Sequence, residues 1–522
     1  MLKKGLYPIR WTLLWVILIS SCRTSDQPKF ADPITEVVGP KTPVLALIED
    51  SPERKWLNLS IPKLHDLLVK GDLKVEELTR FYLGRIDRLN RKGPALHAVI
   101  SVNPRALAKA RELDKLPATE RVNSDLLWGI PILVGDTIET EDPLPTTFGS
   151  SAMKRYAPRR DADAVANLRK QGAIILGKAN VGEWAGLRGA PGWSAVGGQT
   201  INPHHKEALV PGASAGAAVA IASGMAVASI GTGTLRSVLQ SSSTAGVIGI
   251  KSPKNLVSRK GTLPVSASLD SIGAMARHST DVRIVLARML DSRQTRPSFL
   301  SDEIETDIKH IRVGYVVSGK QKIAESQRKL WEEALKTLSD AGAQLVPLSD
   351  TQTVHIDCEP DLVVTAGIRL FLEPFLKDLP KDLPVHTLEE LNEYNTVTAK
   401  EMLTSFAPDY LREAEDIESP KLVMERKSEK CQKVAANWHN IASMRQVDVV
   451  LDLIPSQSEI WSNFQGEANL SMPIGFDEHG APMGLGVFAL RDKEVYLITV
   501  AHSLETTTKR QNVRLPASVI PE

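Results

Sequence analysis

Serine, lysine and histidine, the residue types that could together carry out nucleophilic catalysis, all occur between residues 178 and 251. A serine hydroxyl is a weak nucleophile until a base removes its proton. A lysine can act as that base only if burial lowers its pKa from about 10.4. Ser237 closes the stretch Gly-Thr-Gly-Thr-Leu-Arg-Ser, and its chemistry depends on what base can reach it.

Histidines and further serines near Ser237 in the chain offer alternatives. His204 and His205 lie on the loop that enters the glycine- and serine-rich segment, and an imidazole there could act as a general base for Ser237. Adjacent histidines on a polar loop are usually solvated. Ser241, Ser242 and Ser243 could supply a displaced acceptor, whereas capping of a helix or turn is the ordinary role of such a run.

The elements that position these residues alternate between helices and short apolar strands. Amphipathic spacing predicts helices from residue 61 onward, at 104–116 and at 325–341. Short apolar runs predict buried strands at residues 128–134, 173–176, 247–250, 311–315, 447–455 and 483–487, and a closing helix follows at 495–505. This order predicts an α/β fold with a central mixed sheet covered by helices on both faces.

Several glycine-rich segments, taken in order and spacing, resemble the amidase signature family. They are residues 129–136, 177–180, 197–203, 212–251, 257–277 and 473–486. Each segment is a weak match by itself, but their order makes a chance match very improbable. The resemblance extends from residue 61 to about 516. It implies the amidase-signature fold and hydrolysis of carbon–nitrogen amide bonds.

The resemblance also implies a catalytic arrangement of two serines and a lysine. In the family a lysine is the base, and a bridging serine in a cis peptide connects it to the serine nucleophile. The nucleophile position corresponds to Ser237, which is present. The base position corresponds to Gly135, which has no side chain. Lys178 corresponds to a second lysine of the family, for which a structural role is expected.

The bridging serine and the oxyanion turn depart from the family pattern as well. An ungapped comparison places the bridge at Ala213, whereas a shift of one residue would make Ser214 the bridge. The oxyanion turn comprises Thr234, Leu235 and Arg236. Where the family has an acidic residue and then small residues or glycine, this chain has Gly233, Leu235 and Arg236. Leu or Arg at positive φ would cost about 1–3 kcal/mol, which predicts a reshaped turn. Arg236 could bind a carboxylate in a bidentate manner, or it could extend into solvent.

Composition limits the partners. The net charge of +1 gives no overall field for nucleic acid or an anionic membrane surface. The three cysteines, Cys22, Cys358 and Cys431, lack the spacing of a zinc site, and no metal or cofactor is predicted. The second and third are interpreted as buried or incidental thiols. The expected ligand is a small-molecule amide or carboxylate.

The N-terminus has the zones of a secretory signal. Basic residues precede the apolar run at 11–19, and Ser20 and Ser21 then precede Cys22, as in a bacterial lipobox. The alternative is an ordinary signal peptide that contains a cysteine. The lipobox interpretation predicts residues 1–22 as a signal with Cys22 lipidated, residues 23–53 as a tether and residues 54–522 as the amidase-signature domain. The protein would be exported and anchored by lipid in the cell envelope.

Two functional hypotheses follow from the missing base and bridge. The first is a catalytically defective protein that binds a ligand or acts as a scaffold. The second is an active amide hydrolase that uses Ser237 with Ser214 or a histidine in place of the lost groups. Membership of a tRNA-dependent amidotransferase complex is a third possibility that fits the fold but not an exported lipoprotein.

Overall fold

The computed structural model describes residues 52–291, 293–317, 323–349, 358–398 and 409–507. The predicted signal, Cys22 and nearly all of the predicted tether lie outside these ranges. In the described part of the chain, no helix combines the length and apolar character needed to cross a membrane.

Strands form at the predicted apolar runs, because β-branched and aliphatic side chains there are buried on both faces of a sheet. The strands are β1 (Val99–Val102), β2 (Pro131–Gly135), β3 (Ile174–Ala179), β4 (Trp193–Ser194), β5 (Gly198–Gln199), β6 (Ala228–Gly233), β7 (Ile248–Lys251), β8 (Ser271–Ala276), β9 (Arg312–Val317), β10 (Gln344–Ser349), β11 (Val449–Leu453), β12 (Asn469–Phe476) and β13 (Pro482–Ala489).

The helices carry the charged and amphipathic segments. They are α1 (Ile61–Lys70), α2 (Val75–Asn90), α3 (Ala106–Asp114), α4 (Ala118–Val122), α5 (Asp163–Lys170), α6 (Ala215–Ala222), α7 (Ser237–Ala245), α8 (Ser279–Arg288), α9 (Glu325–Asp340), α10 (Pro360–Gly367), α11 (Glu373–Lys377), α12 (Leu388–Thr398), α13 (Tyr410–Glu415), α14 (Pro420–Met444), α15 (Gln457–Gln465) and α16 (Val495–Thr507). Short helical turns lie at Pro52–Asn58, Ser151–Met153, Glu183–Gly186 and Ser298–Leu300, and a π-helical turn at Ile368–Leu372 joins α10 to α11.

Eleven of the described strands form one mixed sheet in the order β1-β3-β2-β6-β8-β7-β12-β13-β11-β9-β10. The β3-β2-β6 and β11-β9-β10 groups are parallel, and the strands between them are antiparallel. The remaining two, β4 and β5, form a small separate hairpin. Helices pack against the sheet along its length, and the predicted α/β class is confirmed.

A second apolar cluster lies beside the main core. It contains buried residues of the loop after β2 and of α10 to α13, including Phe148, Trp184 and Leu411, and the half-buried Phe375 packs against it. Leu235 contacts both clusters. Helices α10 to α13 therefore form a helical cover whose apolar face meets the turn before Ser237.

Cys358 and Cys431 form a disulfide, with Cα atoms 5.0 Å apart. The interpretation of these cysteines as unpaired thiols was wrong. They are separated by 73 residues in the sequence, so no local spacing indicated the pair. Packing of α10 against α14 brings them together. The bond joins the beginning of the helical cover to the long helix α14.

Candidate active site

Ser214 and Ser237 lie at the N-termini of two neighbouring helices. Ser214 is the N-cap residue of α6, and Ser237 is the first residue of α7. Gly212 packs directly on Ser237, because a Cβ atom added to Gly212 would lie 2.6 Å from Ser237 Oγ. Its φ of +91° also favours glycine. The loop before α6 and the turn before α7 therefore meet at Ser237.

Ser214 is fully buried, and its hydroxyl points toward β6. Its Oγ donates a hydrogen bond of 3.0 Å to the carbonyl oxygen of Thr232. A Cβ atom added to Gly231 would lie 2.4 Å from the same Oγ atom. Ala213, the bridge position of the ungapped comparison, is 2% exposed and has no polar side-chain atom. Of these two residues, Ser214 is the one that brings a hydroxyl to the strand beside the base position.

Gly135 ends β2 on the same side of the sheet as Gly231. An added Cβ atom at Gly135 would lie 3.3 Å from the carbonyl oxygen of Ile230 and 3.4 Å from the Cα atom of Gly231. The two glycines and Ser214 thus surround the position that the sequence comparison assigns to the family's lysine. This chain supplies no amine from that position.

Lys178 lies on the opposite face of the sheet. It pairs with Val134, whereas Ala179 pairs with Gly135, and successive side chains of a strand point to opposite faces. Its Nζ donates to Thr146 Oγ1 at 3.0 Å and to the carbonyl oxygen of Ile138. Burial lowers the pKa of Lys178 to about 8, although the carboxylate of Asp136 opposes this shift. The lysine is enclosed in this network, away from both serines.

The two histidines lie far from Ser237. His204 Nε2 is 3.4 Å from the position of a Cβ atom on Gly246, which follows the last residue of α7. Ser237 begins that nine-residue helix, so about 13 Å of helix separates the two ends. Burial lowers the pKa of His204 to about 4, and His205 lies 3.4 Å from Glu207. The structure does not bring either imidazole to Ser237.

The serine run after Ser237 packs α7 against neighbouring segments. Ser241 Oγ donates to the carbonyl oxygen of Pro211. Ser242 and Ser243 pack where Gly249 and Gly484 leave room, because added Cβ atoms there would lie 2.1 and 2.0 Å from their Oγ atoms. The small size of these serines therefore matters for the close approach of the helix to the sheet.

The turn of Thr234, Leu235 and Arg236 adopts a relaxed backbone. None of the three is among the described residues with positive φ, and Arg236 has φ −113° and ψ −11°. Thr234 Oγ1 donates to Asp270 Oδ1 at 2.8 Å, and the carbonyl oxygen of Leu235 accepts from Asn463 Nδ2. These residues therefore lack the backbone strain that positive φ would cause in a Leu or an Arg. This backbone accommodates the large side chains of Leu235 and Arg236 without positive φ.

Comparison with known proteins identifies the family of this chain. The family model described as Amidase matches residues 77–404. The chain belongs to the amidase family. A probable amidase of Arabidopsis thaliana is 30% identical over 456 residues, which cover 84% of this chain and 87% of that protein. A glutamyl-tRNA(Gln) amidotransferase subunit of Thermosynechococcus vestitus is 29% identical, with coverage of 86% and 98%.

Solved structures give the same result. The peptide amidase of Stenotrophomonas maltophilia superposes with a TM-score of 0.79 at 29% identity, and the match covers 88% of this chain and 98% of that one. An amidase family protein of Bacillus anthracis superposes with a TM-score of 0.80 at 25% identity, covering 91% and 95%. The chain is thus an amidase-family protein, and hydrolysis of carbon–nitrogen bonds is the chemistry associated with that family.

A buried polar cluster beside the turn of this amidase-family chain escaped the sequence analysis. Glu459 and Asn463 are four residues apart on α15, so they lie on one face of that helix. Asn463 Oδ1 accepts from Lys251 Nζ, which also donates to the carbonyl oxygens of Leu269 at 3.2 Å and Thr234 at 3.4 Å. The sequence feature that could have indicated this cluster is the glutamate three residues after Ser456. The same spacing is typical of a helix capping box, so it did not point to a buried site.

Burial shifts the two ionisable groups of this cluster in opposite directions. It lowers the pKa of Lys251 to about 7, against the attraction of Asp270 and Glu459. It raises the pKa of Glu459 to about 7, while the backbone N–H of Ser456 and the charge of Arg236 favour the ionised form. Both groups can therefore change charge near neutral pH. No group of three or more ionisable residues that could hold a metal occurs in the described ranges.

Proposed function

We propose that this amidase-family chain is a ligand-binding protein of the cell envelope that has lost the amide hydrolysis of its family. The absence of a base at Gly135 is the observation that carries the proposal. The space next to Gly135 is lined by the Ile230 carbonyl oxygen and the Gly231 Cα atom. The amine of Lys178 lies on the other face of the sheet, and the imidazoles of His204 and His205 are remote.

The state of Ser237 supports the same conclusion. Its Oγ atom is buried and forms no hydrogen bond with any group in the described part of the chain. A serine that acts as a nucleophile needs a base within about 2.6–3.2 Å, or one reached through a water molecule. An unactivated hydroxyl reacts little faster than water, so the proposed protein would bind an amide or carboxylate without cleaving it.

Reaction with a fluorophosphonate probe tests this proposal. Full-length protein solubilised from membranes is expected to remain unlabelled, at the level of a Ser237→Ala control, because no base activates the hydroxyl. An active peptide amidase treated in parallel verifies the probe. Stoichiometric labelling at Ser237 would overturn the proposal.

The second candidate is an active hydrolase that uses Ser237 with Ser214. The position of the Ser214 hydroxyl beside Gly231 favours this alternative. The same labelling experiment decides between the two, because a rescued hydrolase would lose its label in Ser214→Ala as well as in Ser237→Ala.

We also propose that the chain is exported and anchored through lipidated Cys22. The disulfide between Cys358 and Cys431 supports export, because such bonds persist in oxidising compartments and are rare in the cytosol. The same compartment argues against a role beside tRNA, although several relatives belong to amidotransferases that act on glutamyl-tRNA(Gln). The membrane contact would be the lipid alone, and no nucleic-acid partner is proposed.

Replacing Cys22 tests the anchor. Cys22→Ala is expected to abolish acyl labelling and to move the protein from the membrane fraction to the soluble or precursor fraction, because the thiol is the attachment point. Ser25→Ala, three residues after Cys22 and outside any disulfide, serves as the matched control and should keep the acyl label. Unchanged membrane retention and labelling of Cys22→Ala would exclude the lipobox.

A further inference from the structure

A cleft opens at the beginning of β3, away from the candidate active site. It has a volume of about 250 Å³. Ile174 and Ile175 close it on the inner side, because both are almost fully buried and yet line it. At the other end of β3, Ala179 pairs with Gly135. The length of the strand, about 16 Å, therefore separates the cleft from the base position.

The side of the cleft formed by the beginning of α3 is positively charged. Arg105 and Lys109 line it, and this segment contributes no carboxylate to the lining. Arg105 is exposed, and its guanidinium forms no ion pair with any described residue. Lys109 forms an ion pair of 2.9 Å with Glu112, but both side chains are largely exposed and such pairs contribute little. Both cations are therefore available to a ligand.

The other side of the cleft is acidic. It is lined by Glu141, Asp142 and Asp161 together with one cation, Arg169. The two aspartates are 5% and 9% exposed and share this single guanidinium, whose Nε donates to Asp161 Oδ2 at 2.8 Å and whose terminal nitrogen donates to Asp142. Glu141 is exposed and has no ion pair within the described ranges. Three carboxylates and one guanidinium leave an excess of two negative charges on this side.

Hydrogen bonds fix the two buried carboxylates in place. Asp142 Oδ1 accepts from Asn103 Nδ2 at 2.9 Å, and the same amide donates to the carbonyl oxygen of Ile175 at 2.9 Å. Asp161 Oδ1 accepts from the backbone N–H of Glu141 at 2.8 Å. A carboxylate oxygen can accept more than one hydrogen bond, so these groups can still receive donors from a ligand. Because they are already ordered, binding would lose little conformational entropy here.

From this separation of charge we propose that the cleft binds a small zwitterion, namely an α-amino acid with an aliphatic side chain. The ligand carboxylate lies at Arg105 and Lys109, and a guanidinium can bind both oxygens of a carboxylate. The ligand ammonium lies at the carboxylates of Glu141, Asp142 and Asp161. A ligand with only one charge would leave the other side of the cleft without a counter-charge, so the arrangement selects for both charges.

The volume and the apolar lining of the cleft define the rest of the ligand. Pockets that enclose drug-sized ligands measure about 300–1,000 Å³, so this cleft fits a smaller molecule. Ala106, Ile174 and Ile175 supply the apolar lining, against which an aliphatic side chain can pack. The cleft shares no residue with the turn before Ser237. The inference therefore goes beyond the proposed function of the amidase site and does not depend on it.

Equilibrium dialysis of the full-length, detergent-solubilised protein with radiolabelled L-valine tests the proposal. L-Valine is expected to bind about tenfold or more tightly than L-valinamide, which lacks the carboxylate, and than 3-methylbutanoate, which lacks the ammonium. Each analogue loses hydrogen bonds between charged groups, which accounts for a difference of this size. Absence of L-valine binding at millimolar concentration, or equal binding of either analogue, would overturn the zwitterion site.

Two variants locate the bound amino acid. Arg105→Gln and Glu141→Gln should each weaken L-valine binding about tenfold. Their side chains are exposed and form no hydrogen bond with the described residues, so thermal unfolding should match that of the parent protein. Arg426→Gln and Glu425→Gln, at exposed positions of α14, are the matched controls and should bind L-valine as the parent does. Unchanged affinity in either cleft variant would place the amino acid elsewhere and contradict the proposal.

Discussion

The double variant Gly135→Lys with Ala213→Ser is expected to remain about a hundredfold or more below the amidase rate of a variant that also carries Gly233→Asp, Leu235→Gly and Arg236→Gly. The two changes restore a base and a bridge, but the turn keeps its large side chains. Loss of a single oxyanion donor costs about 2.7–4 kcal/mol. The measurement is turnover of a small aryl amide by both variants.

The contacts of Leu235 are the reason that we expect the turn, and not only the base, to limit recovery of activity. Leu235 is held by the apolar clusters and by Asn463, which donates to its carbonyl oxygen. The turn therefore cannot move freely to the geometry of a glycine-rich one. A double variant that equals the five-change variant would show that the turn is intact for catalysis.

Gly135→Lys alone is a useful control, because Ser214 already directs a hydroxyl to β6. If this single variant matches the double variant, Ser214 provides the bridge and Ala213 is not the relevant position. The new lysine also places an ammonium in a buried site, which is unfavourable without a charged partner. Thermal unfolding of each variant therefore accompanies the rate measurements.

Removing the disulfide is expected to have the largest effect on stability. Cys358→Ser combined with Cys431→Ser should lower the free energy of unfolding by about 4 kcal/mol, the chain-entropy value for closing a loop of this length. The loop spans a sequence separation of 73 residues. Denaturant unfolding of the oxidised protein and the double variant measures the difference.

The reduced parent protein is the control for this experiment. It should unfold at the same denaturant concentration as the double serine variant, because both lack only the covalent link. An oxidised parent that is no more stable than its reduced form would contradict the stabilising role. The disulfide links α10 to α14. We therefore expect the protein without this bond to lose the helical cover before the sheet unfolds.

Local sequence patterns predicted six of the eleven strands of the sheet and missed β1, β6, β8, β10 and β12. The apolar run at 173–176 became β3, and the run at 447–455 contains β11. Buried strands are short and apolar, so a run of consecutive apolar residues is enough to predict one. The order of the glycine-rich segments likewise identified the family, and the comparison of those segments predicts that Gly135 replaces the family's lysine.

The relation between distant residues depended on the tertiary structure. The sequence left Ala213 and Ser214 as alternatives, and only the packing of α6 against β6 showed which hydroxyl faces Gly231. Distance along the chain also did not indicate how far the histidines lie from Ser237. In the sequence, His204 is nearer to Ser214 than Ser237 is. In the structure, its imidazole lies at the C-terminal end of α7, whereas Ser237 lies at the N-terminal end.

By itself, the sequence determined the family and the α/β class and predicted the loss of the base, because these depend on residue types at positions along one chain. The tertiary structure decided the disulfide of Cys358 and Cys431, the enclosure of Lys178 on the other face, and the packing of Lys251 and Asn463 beside the turn before Ser237. Each of these joins segments that are remote in sequence or sets the face to which a side chain points. Such relations arise only when helices and strands pack, because burial and pairing are properties of the assembled fold.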